Sequence, residues 1–333
     1  MHPPALLAFT TRNGIHDCRH YGSAVIAERS GPPIWSIGDI TSPLPLRSLT
    51  KPFVAAHVIR RGVTRHYGFS NEAVALIAGS HSGTTEHVAI LEQMLLAVGI
   101  AEDALHCGAI LPLGVDALKD LFGMSVPQLR QLHCNCSGEH IGLLAACAME
   151  KLSLDNYEEA DHPLQRSIRD ELETALGERL GPALIDGCNL PTYATSLFSI
   201  ARLFAALGGE ESRSNELEIV RNAILAKPHI YGGRGRFVTD LIEAGQNTLI
   251  AKDGAEGVFA VGFRDGRGLA VKIADGAPRA VRPVVSAITD QFQLVAEDVR
   301  PFVRAIGLMS ITTNTGVPAG TVEATSFGAM ECA

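Results

Sequence analysis

The sequence predicts an α/β protein of the α+β type, with an antiparallel sheet built from both chain ends and a mostly helical region inserted between them. Short apolar runs separated by turn residues fill the first forty positions, and two more lie near the C-terminus. From about residue 72 to 225, apolar residues recur at helical spacing instead. We therefore expect one unit over 1–333, with a sheet subdomain at 1–60 and 250–333 and a mostly helical subdomain at 70–245.

Each element has its own local signal. The strands predicted at the N-terminal end are 6–9, 22–28 and 34–38, with a Ser-Gly-Pro-Pro turn before the third. Near the C-terminus, 257–263 and 269–274 flank Arg-Asp-Gly-Arg-Gly, which is typical of a hairpin. Helical periodicity predicts helices at 53–61, 86–98, 138–151, 162–176, 197–207 and 283–295.

The composition indicates a globular protein with a small-molecule partner. Hydrophobic residues make up 46% and charged residues 19% of the 333 positions, which favours a large buried core. A net charge of -8 without a long basic run argues against nucleic acid or an anionic membrane as partner. No export signal and no membrane-spanning run are recognisable, so we expect a cytoplasmic protein. Seven cysteines, an odd number, suit reduced thiols or metal ligation better than disulfides.

Ser48 and Lys51 form the first candidate for chemistry. They precede the predicted helix 53–61 and are three residues apart, a spacing that places two side chains on the same helix face. A neutral Lys51 could take the Ser48 proton, and the unpaired N–H groups of the helix start could stabilise an oxyanion. The alternative is a helix-capping Ser48 beside a solvated Lys51.

Lys272 is the second lysine in apolar surroundings. Lysine is scarce, with 6 against 22 arginines, and a lysine in a dry site can lose its proton near neutral pH. On the predicted strand 269–274, Lys272 stands between Ala270 and Ala274 on one face, which leaves room for a ligand. An edge lysine that prevents strand pairing is the alternative.

A hydroxyl-rich loop at 78–87 leads into the helix 86–98. Ser80 is its candidate for chemistry, while Thr84 or Thr85 as a helix cap would explain most of the pattern. Another glycine-rich segment, 229–240, lacks the preceding strand and the spacing of a dinucleotide fingerprint, so we expect no organic cofactor.

The segment 133–140 crowds five candidate metal ligands ahead of an apolar helix. Cys136 and Glu139 would share a helix face, and Cys188 could add a ligand from a loop. Such sulfur and oxygen donors would accept Zn²⁺. The pattern is not a complete four-ligand motif, so buried structural cysteines are the alternative, and whether Cys134, His133 or His140 reaches a metal stays open.

Taken together and in this order, these segments resemble the class 3, or rhizobial-type, L-asparaginases of the L-asparaginase II family, whose fold is like that of serine β-lactamases and penicillin-binding proteins. The resemblance spans nearly the whole chain. It rests on segments that begin at Arg47, Ser80, Cys134, Asp186, Gly233 and Lys252, and on Lys272.

The resemblance implies two serine–lysine pairs, Ser48 with Lys51 and Ser80 with Lys272. It also implies zinc, held by Cys136, Cys188 and the residue at position 139, and a homodimer. Glu139 is a departure, because a lysine is usual at that position in the family. A carboxylate need not abolish metal binding and could strengthen it.

The function expected from this resemblance is hydrolysis of L-asparagine to L-aspartate and ammonia through a serine acyl-enzyme. Ser48 is the expected nucleophile, and the expected substrate contacts are Arg47, Ser82, Asp186 and His81. A serine-dependent glutaminase is the nearest alternative, because a single methylene separates the substrates. A non-catalytic amino-acid or zinc-binding protein is another, favoured by Glu139.

Overall fold

The computed structural model describes residues 3–210 and 214–328. Its strands are β1 Ala5–Arg12, β2 Ile15–Glu28, β3 Trp35–Ile37, β4 Leu44–Pro45, β5 Leu184–Ile185, β6 Pro191–Thr192, β7 Ala194–Thr195, β8 Leu249–Asp253, β9 Val258–Phe263, β10 Arg267–Ile273, β11 Met309–Thr312 and β12 Pro318–Ala324.

The helices lie mostly between the two groups of long strands. They are α1 Lys51–Arg60, α2 Val63–Tyr67, α3 Asn71–Ala78, α4 Thr85–Val98, α5 Val115–Gly123, α6 Ser137–Glu150, α7 Pro163–Leu176, α8 Leu197–Gly208, α9 Asn215–Ala226, α10 Pro228–Tyr231, α11 Phe237–Ala244, α12 Val281–Gln291 and α13 Arg300–Gly307. Short 3₁₀ helices occupy Arg47–Thr50, Glu102–Ala104, Gln131–His133 and Pro278–Ala280.

The main sheet confirms the predicted fold class. It is antiparallel, in the order β11-β12-β1-β2-β10-β9-β8, with β3 also paired to β2. Strands from the two chain ends therefore meet at both the β12–β1 pair and the β2–β10 pair. The predicted hairpin is β9–β10. The structure extends the predicted strand 22–28 back to Ile15, because residues 15–21 pair with β1 although they are largely polar.

The chain divides into two compact units. One contains the main sheet and comprises 1–44, 195–213 and 240–333, and the other comprises 45–194 and 214–239. Two whole helices lie outside the subdomain predicted for them. Helix α8 belongs to the sheet unit, where it packs on β2, β9 and β10, and α1 belongs to the helical unit, where it packs on α3, α6 and α9.

Close backbone packing in each unit depends on glycine. In the sheet unit, α8 approaches β9 and β10 so tightly that a Cβ on Gly262 or Gly268 would collide with the α8 backbone. In the helical unit, Gly138 and Gly142 on α6 face α3 one turn apart, and a Cβ on either would meet an α3 residue. This contact fixes the start of α6 beside the end of α3, where the loop carrying Ser80 begins.

In the described part of the chain, no helix combines the length and the apolar composition needed to cross a bilayer.

Candidate functional site

The segment before Ser48 is held in a strained conformation. Arg47 has a φ of 53°, in the left-handed region that residues other than glycine seldom adopt. Its backbone N–H donates to Thr192 Oγ1 at 3.0 Å, and its side-chain Nε donates to Asp186 Oδ1 at 2.8 Å. These bonds to a distant loop fix the backbone immediately ahead of the candidate nucleophile.

Ser48 lies in the 3₁₀ helix that runs into α1. Pro52 occupies the start of α1, where its fixed φ and missing N–H fit a helix N-terminus. The Ser48 side chain is half-buried, and its hydroxyl has no hydrogen-bond partner among the described residues. The structure therefore brings Ser48 and Lys51 into adjacent turns without a hydrogen bond between hydroxyl and amine.

Lys51 is buried beside acidic groups. Its residue exposure is 2%, and its Nζ lies 3.4 Å from Glu139 Oε2. Burial alone would lower the pKa of this amine, but negative charge on Cys136 and then on Glu139 outweighs burial and raises the pKa above its ordinary value. This raised pKa favours the ammonium form of Lys51, whereas the mechanism expected from the sequence needs the neutral amine.

The three expected metal ligands come together. One ligand atom from each of Cys136, Glu139 and Cys188 lies within 4.8 Å of the others, and all three residues are buried. Cys136 directly precedes α6, Glu139 is in its first turn, and Cys188 is in the loop between β5 and β6. Cys136 and Glu139, which the sequence predicted to share a helix face, thus lie close together in the structure, with Cys188 beside them.

Ionisation of the cluster follows from its hydrogen bonds and its burial. Hydrogen bonding with Cys134 and Cys188 lowers the pKa of Cys136 well below its ordinary value, although burial opposes this shift. Hydrogen bonding with Cys107 is the main cause that raises the pKa of Cys134, and hydrogen bonding with Cys136 is the main cause that raises the pKa of Cys188. Burial raises the pKa of Glu139 to about 7, although Lys51 opposes this shift. The lowered pKa of Cys136 favours its thiolate form, and the charge of the Glu139 carboxylate depends on its neighbours.

Zinc fits this set of donors. Tetrahedral zinc with bonds of about 2.3 Å to sulfur and about 2.1 Å to oxygen needs donors roughly 3.5 to 3.8 Å apart, a separation that a 4.8 Å cluster accommodates with small movements. Two thiol groups and a carboxylate would provide three protein ligands and leave one position for a further ligand.

The other nearby candidates for metal ligation have protein partners. The Cys134 thiol donates to the Cys107 carbonyl, and His133 Nδ1 accepts the Arg130 N–H at 3.1 Å. His140 Nδ1 lies 2.5 Å from the Tyr157 hydroxyl, and burial lowers its pKa to about 3. Among the described residues, these three side chains lie outside the cluster that could hold a metal ion.

The loop after α3 places Ser80 in a buried position. The Ser80 backbone N–H donates to the Tyr231 carbonyl at 3.1 Å, and its own carbonyl accepts from Arg236, which also donates to the Gly232 carbonyl at 3.0 Å. The glycine-rich segment 229–240, to which the sequence assigned no role, thus holds this loop. Arg236 belongs to the motif that begins at Gly233, but its role could not be assigned from the sequence.

Two expected substrate contacts use their polar atoms within the protein. The Ser82 hydroxyl donates to the Gly232 carbonyl at 3.1 Å. His81 Nδ1 accepts the Gly83 N–H at 3.1 Å, so the ring hydrogen is on Nε2, which donates to Ser137 Oγ at 2.9 Å. Both side chains are buried and hold the loop in place.

A second histidine stacks on the first. His87 lies parallel to His81 with ring centroids 5.2 Å apart, and it completes the cap of α4 with Thr84. Thr84 is therefore the helix cap that the sequence offered as an alternative. Burial is the main cause that lowers the pKa of both histidines, so both rings are neutral in the fold.

The lysines of the sheet unit differ from expectation. Lys272 is half-buried on β10, and its amine donates to the Glu256 carbonyl. Lys252 on β8 is 0% exposed, and its amine donates to Asp253 Oδ1 at 2.6 Å. The sequence predicts a catalytic lysine in a buried, apolar site, and Lys252 is more completely buried than Lys272. The pairing of Ser80 with Lys272 stays a prediction.

Comparison with known proteins identifies the family. A family model described as L-asparaginase II matches residues 8–324, which is nearly the whole chain. The chain belongs to the L-asparaginase II family. This family is one of asparaginase-type amidohydrolases, which act on small molecules. A search of curated proteins finds no match.

Solved structures show more distant similarity to this family member. Mglu in its native form in the presence of 4.3 M NaCl is 14% identical with a TM-score of 0.38, over 83% of this chain and 62% of that chain. A protein of Bacteroides dorei DSM 17855 described as a beta-lactamase is 12% identical with a TM-score of 0.40, over 81% of this chain and 93% of that chain. The chain thus spans 62% of the length of that Mglu chain.

The neutral histidine pair predicts acid sensitivity in this family member. An unfolded histidine takes up a proton below about pH 6.5, whereas buried His81 and His87 do not, so stability falls as pH drops through that value. Each histidine contributes a loss of up to about 1.4 kcal/mol per pH unit below this point. His81→Gln should therefore lose less free energy of unfolding than the unsubstituted protein between about pH 7.5 and about pH 5.5.

Urea unfolding at both pH values measures this difference. His66→Gln, at an exposed position, is the matched control and should keep the original pH dependence. An unchanged pH dependence in His81→Gln would show that this ring is not held neutral.

Proposed function

We propose that this protein is an L-asparaginase that hydrolyses L-asparagine to L-aspartate and ammonia through an ester on Ser48. The observation that supports this most strongly is the position of Ser48, a half-buried, unbonded hydroxyl in the turn before the buried Lys51, in a chain of the L-asparaginase II family. An unbonded hydroxyl at a helix start is free to meet a substrate, and the amide N–H groups there can hold an oxyanion.

The reaction has two steps at Ser48. Its Oγ attacks the side-chain amide carbon, a base takes the hydroxyl proton, and ammonia leaves after gaining a proton, which produces a β-aspartyl ester. Water then attacks the ester carbon and releases aspartate, and the proton returns to Ser48. Each step needs a group that accepts and later returns one proton.

We propose Lys51 as the base, on the condition that the negative charge beside it is neutralised. As an ammonium group it cannot accept a proton, and negative charge on Cys136 and Glu139 keeps it in that form. A zinc ion held by Cys136, Glu139 and Cys188 would supply positive charge that offsets this negative charge. Once the neighbouring charge is neutralised, burial favours the neutral amine and Lys51 can take the Ser48 proton.

Arg47 and Asp186 support an α-amino acid as the substrate. The Arg47 guanidinium contacts Asp186 Oδ1 through Nε at 2.8 Å and Nη2 at 2.7 Å, and both side chains are partly exposed. Such a pair presents a cation and an anion side by side, which matches the carboxylate and ammonium of a free amino acid. We keep these two as substrate contacts and assign His81 and Ser82 to positioning the loop.

Two alternative functions are also compatible with the site, a glutaminase and a non-catalytic binding protein. A glutaminase differs by one methylene in the substrate, a difference that a pocket discriminates by only about 1 to 3 kcal/mol. A non-catalytic amino-acid or zinc-binding protein is favoured by the charged state of Lys51. Ammonia release measured with asparagine and with glutamine separates all three functions. The homodimer and the cytoplasmic location stay predictions.

Ser48→Ala should abolish ammonia release from L-asparagine, because alanine removes the oxygen that attacks the amide. A loss of at least about a thousandfold in kcat with unchanged thermal unfolding is the expected result. Ser125→Ala, at an exposed serine of the same unit, is the matched control and should keep full activity. Retained turnover in Ser48→Ala would transfer the nucleophile role to another residue, with Ser80 the first to test.

Lys252→Met and Lys272→Met together test which lysine of the sheet unit the reaction needs. The family resemblance assigns the role to Lys272, whereas complete burial and the bond to Asp253 favour Lys252. We expect Lys252→Met to lose at least about a hundredfold in kcat and Lys272→Met to lose less than tenfold. The reverse order would restore Lys272 as the second base, and circular dichroism checks that both variants fold.

A further inference from the structure

Glu139 has two sets of neighbours that compete for its charge. Its Oε2 lies 3.4 Å from the Lys51 ammonium, and a ligand oxygen of the same carboxylate lies within 4.8 Å of the sulfur atoms of Cys136 and Cys188. The side chains of Lys51 and Glu139 are 2% and 6% exposed. Because both side chains are almost completely buried, their charges interact with little screening.

A metal ion at the cluster would sit close to Lys51. A divalent cation bound to Glu139 and an ammonium group 3.4 Å from the same carboxylate repel each other across a few ångströms of protein interior. One carboxylate carries one negative charge, so it cannot compensate both cations fully. Binding of the metal therefore weakens the ion pair, and the ion pair weakens binding of the metal.

We propose that Glu139 is a shared carboxylate, the counter-ion of Lys51 in the metal-free protein and a zinc ligand in the metal-bound protein, so that Lys51 and zinc compete for it. This rests on the zinc part of the proposed function and not on the hydrolysis of asparagine. With a lysine at position 139, no such competition would exist, because an amine cannot serve as the counter-ion of Lys51.

The zinc affinity of the full chain tests directly whether Lys51 and zinc compete for Glu139. It can be measured by titration against a chromophoric chelator that binds the same metal. Lys51→Met removes the competing cation and keeps an apolar stem of similar length, so its zinc Kd should be at least about tenfold lower than that of the unsubstituted protein. Lys119→Met, at an exposed lysine of the same unit, is the matched control and should leave the Kd unchanged. An unchanged or higher Kd in Lys51→Met would overturn the proposal.

Glu139→Gln identifies the shared group. It should raise the zinc Kd by about tenfold or more, because an amide is a much weaker zinc ligand than a carboxylate. In the Glu139→Gln background, Lys51→Met should produce a smaller gain in affinity than it does alone. An equal gain in both backgrounds would show that Glu139 is not the shared group and would contradict the proposal.

Cobalt spectroscopy provides a second measurement that needs no catalysis. Co²⁺ bound to thiolates gives a sulfur-to-metal charge-transfer band, and its visible bands report the coordination geometry. Glu139→Gln should keep the thiolate band and change the visible bands, and unchanged visible bands would overturn the proposal. If Lys51→Met does not fold, this measurement and the zinc Kd of Glu139→Gln decide the question. A protein that shows these shifts without releasing ammonia would refute the proposed function alone.

Discussion

The buried ion pair between Lys51 and Glu139 is the interaction on which the candidate site depends. It joins the first residue of α1 to the first turn of α6, and both side chains are almost completely buried. Removing one partner would leave an uncompensated buried charge, which typically costs about 3 to 5 kcal/mol. Because α6 also packs closely on α3 through Gly138 and Gly142, the same arrangement positions the Ser80 loop.

This interaction has opposite effects on structure and on chemistry. The charge that holds Lys51 against Glu139 also keeps it protonated, and a protonated amine cannot activate Ser48. Negative charge on Cys136 raises the pKa of Lys51 still more than that on Glu139 does. For Lys51 to activate Ser48, the negative charge on Cys136 and Glu139 must therefore be compensated. A metal ion bound at this cluster would provide that compensation under the proposed function.

Much of the fold follows from local patterns, but burial of single charged residues does not. Strong helical periodicity and nearby caps placed the helices that become α4, α6 and α7 within about a residue of their observed ends. The Cys136 and Glu139 pair could be predicted because its spacing is local. By contrast, complete burial of Lys252 depends on strands and helices distant in sequence, and its own neighbours give no sign of it. Arg47 and Asp186, both expected as substrate contacts, also bind each other. They are 139 residues apart in the sequence, so no local pattern could predict this pair.

The central claim is that Ser48 carries the acyl group during amide hydrolysis. Rapid acid quenching of the zinc-loaded protein during turnover of L-asparagine, followed by peptide mapping with mass spectrometry, tests it most directly. The account predicts a β-aspartyl ester on the peptide that contains Ser48, at a level that falls as substrate is exhausted. An ester on Ser80 instead, or ammonia release with no acylated serine at any quench time, would contradict it.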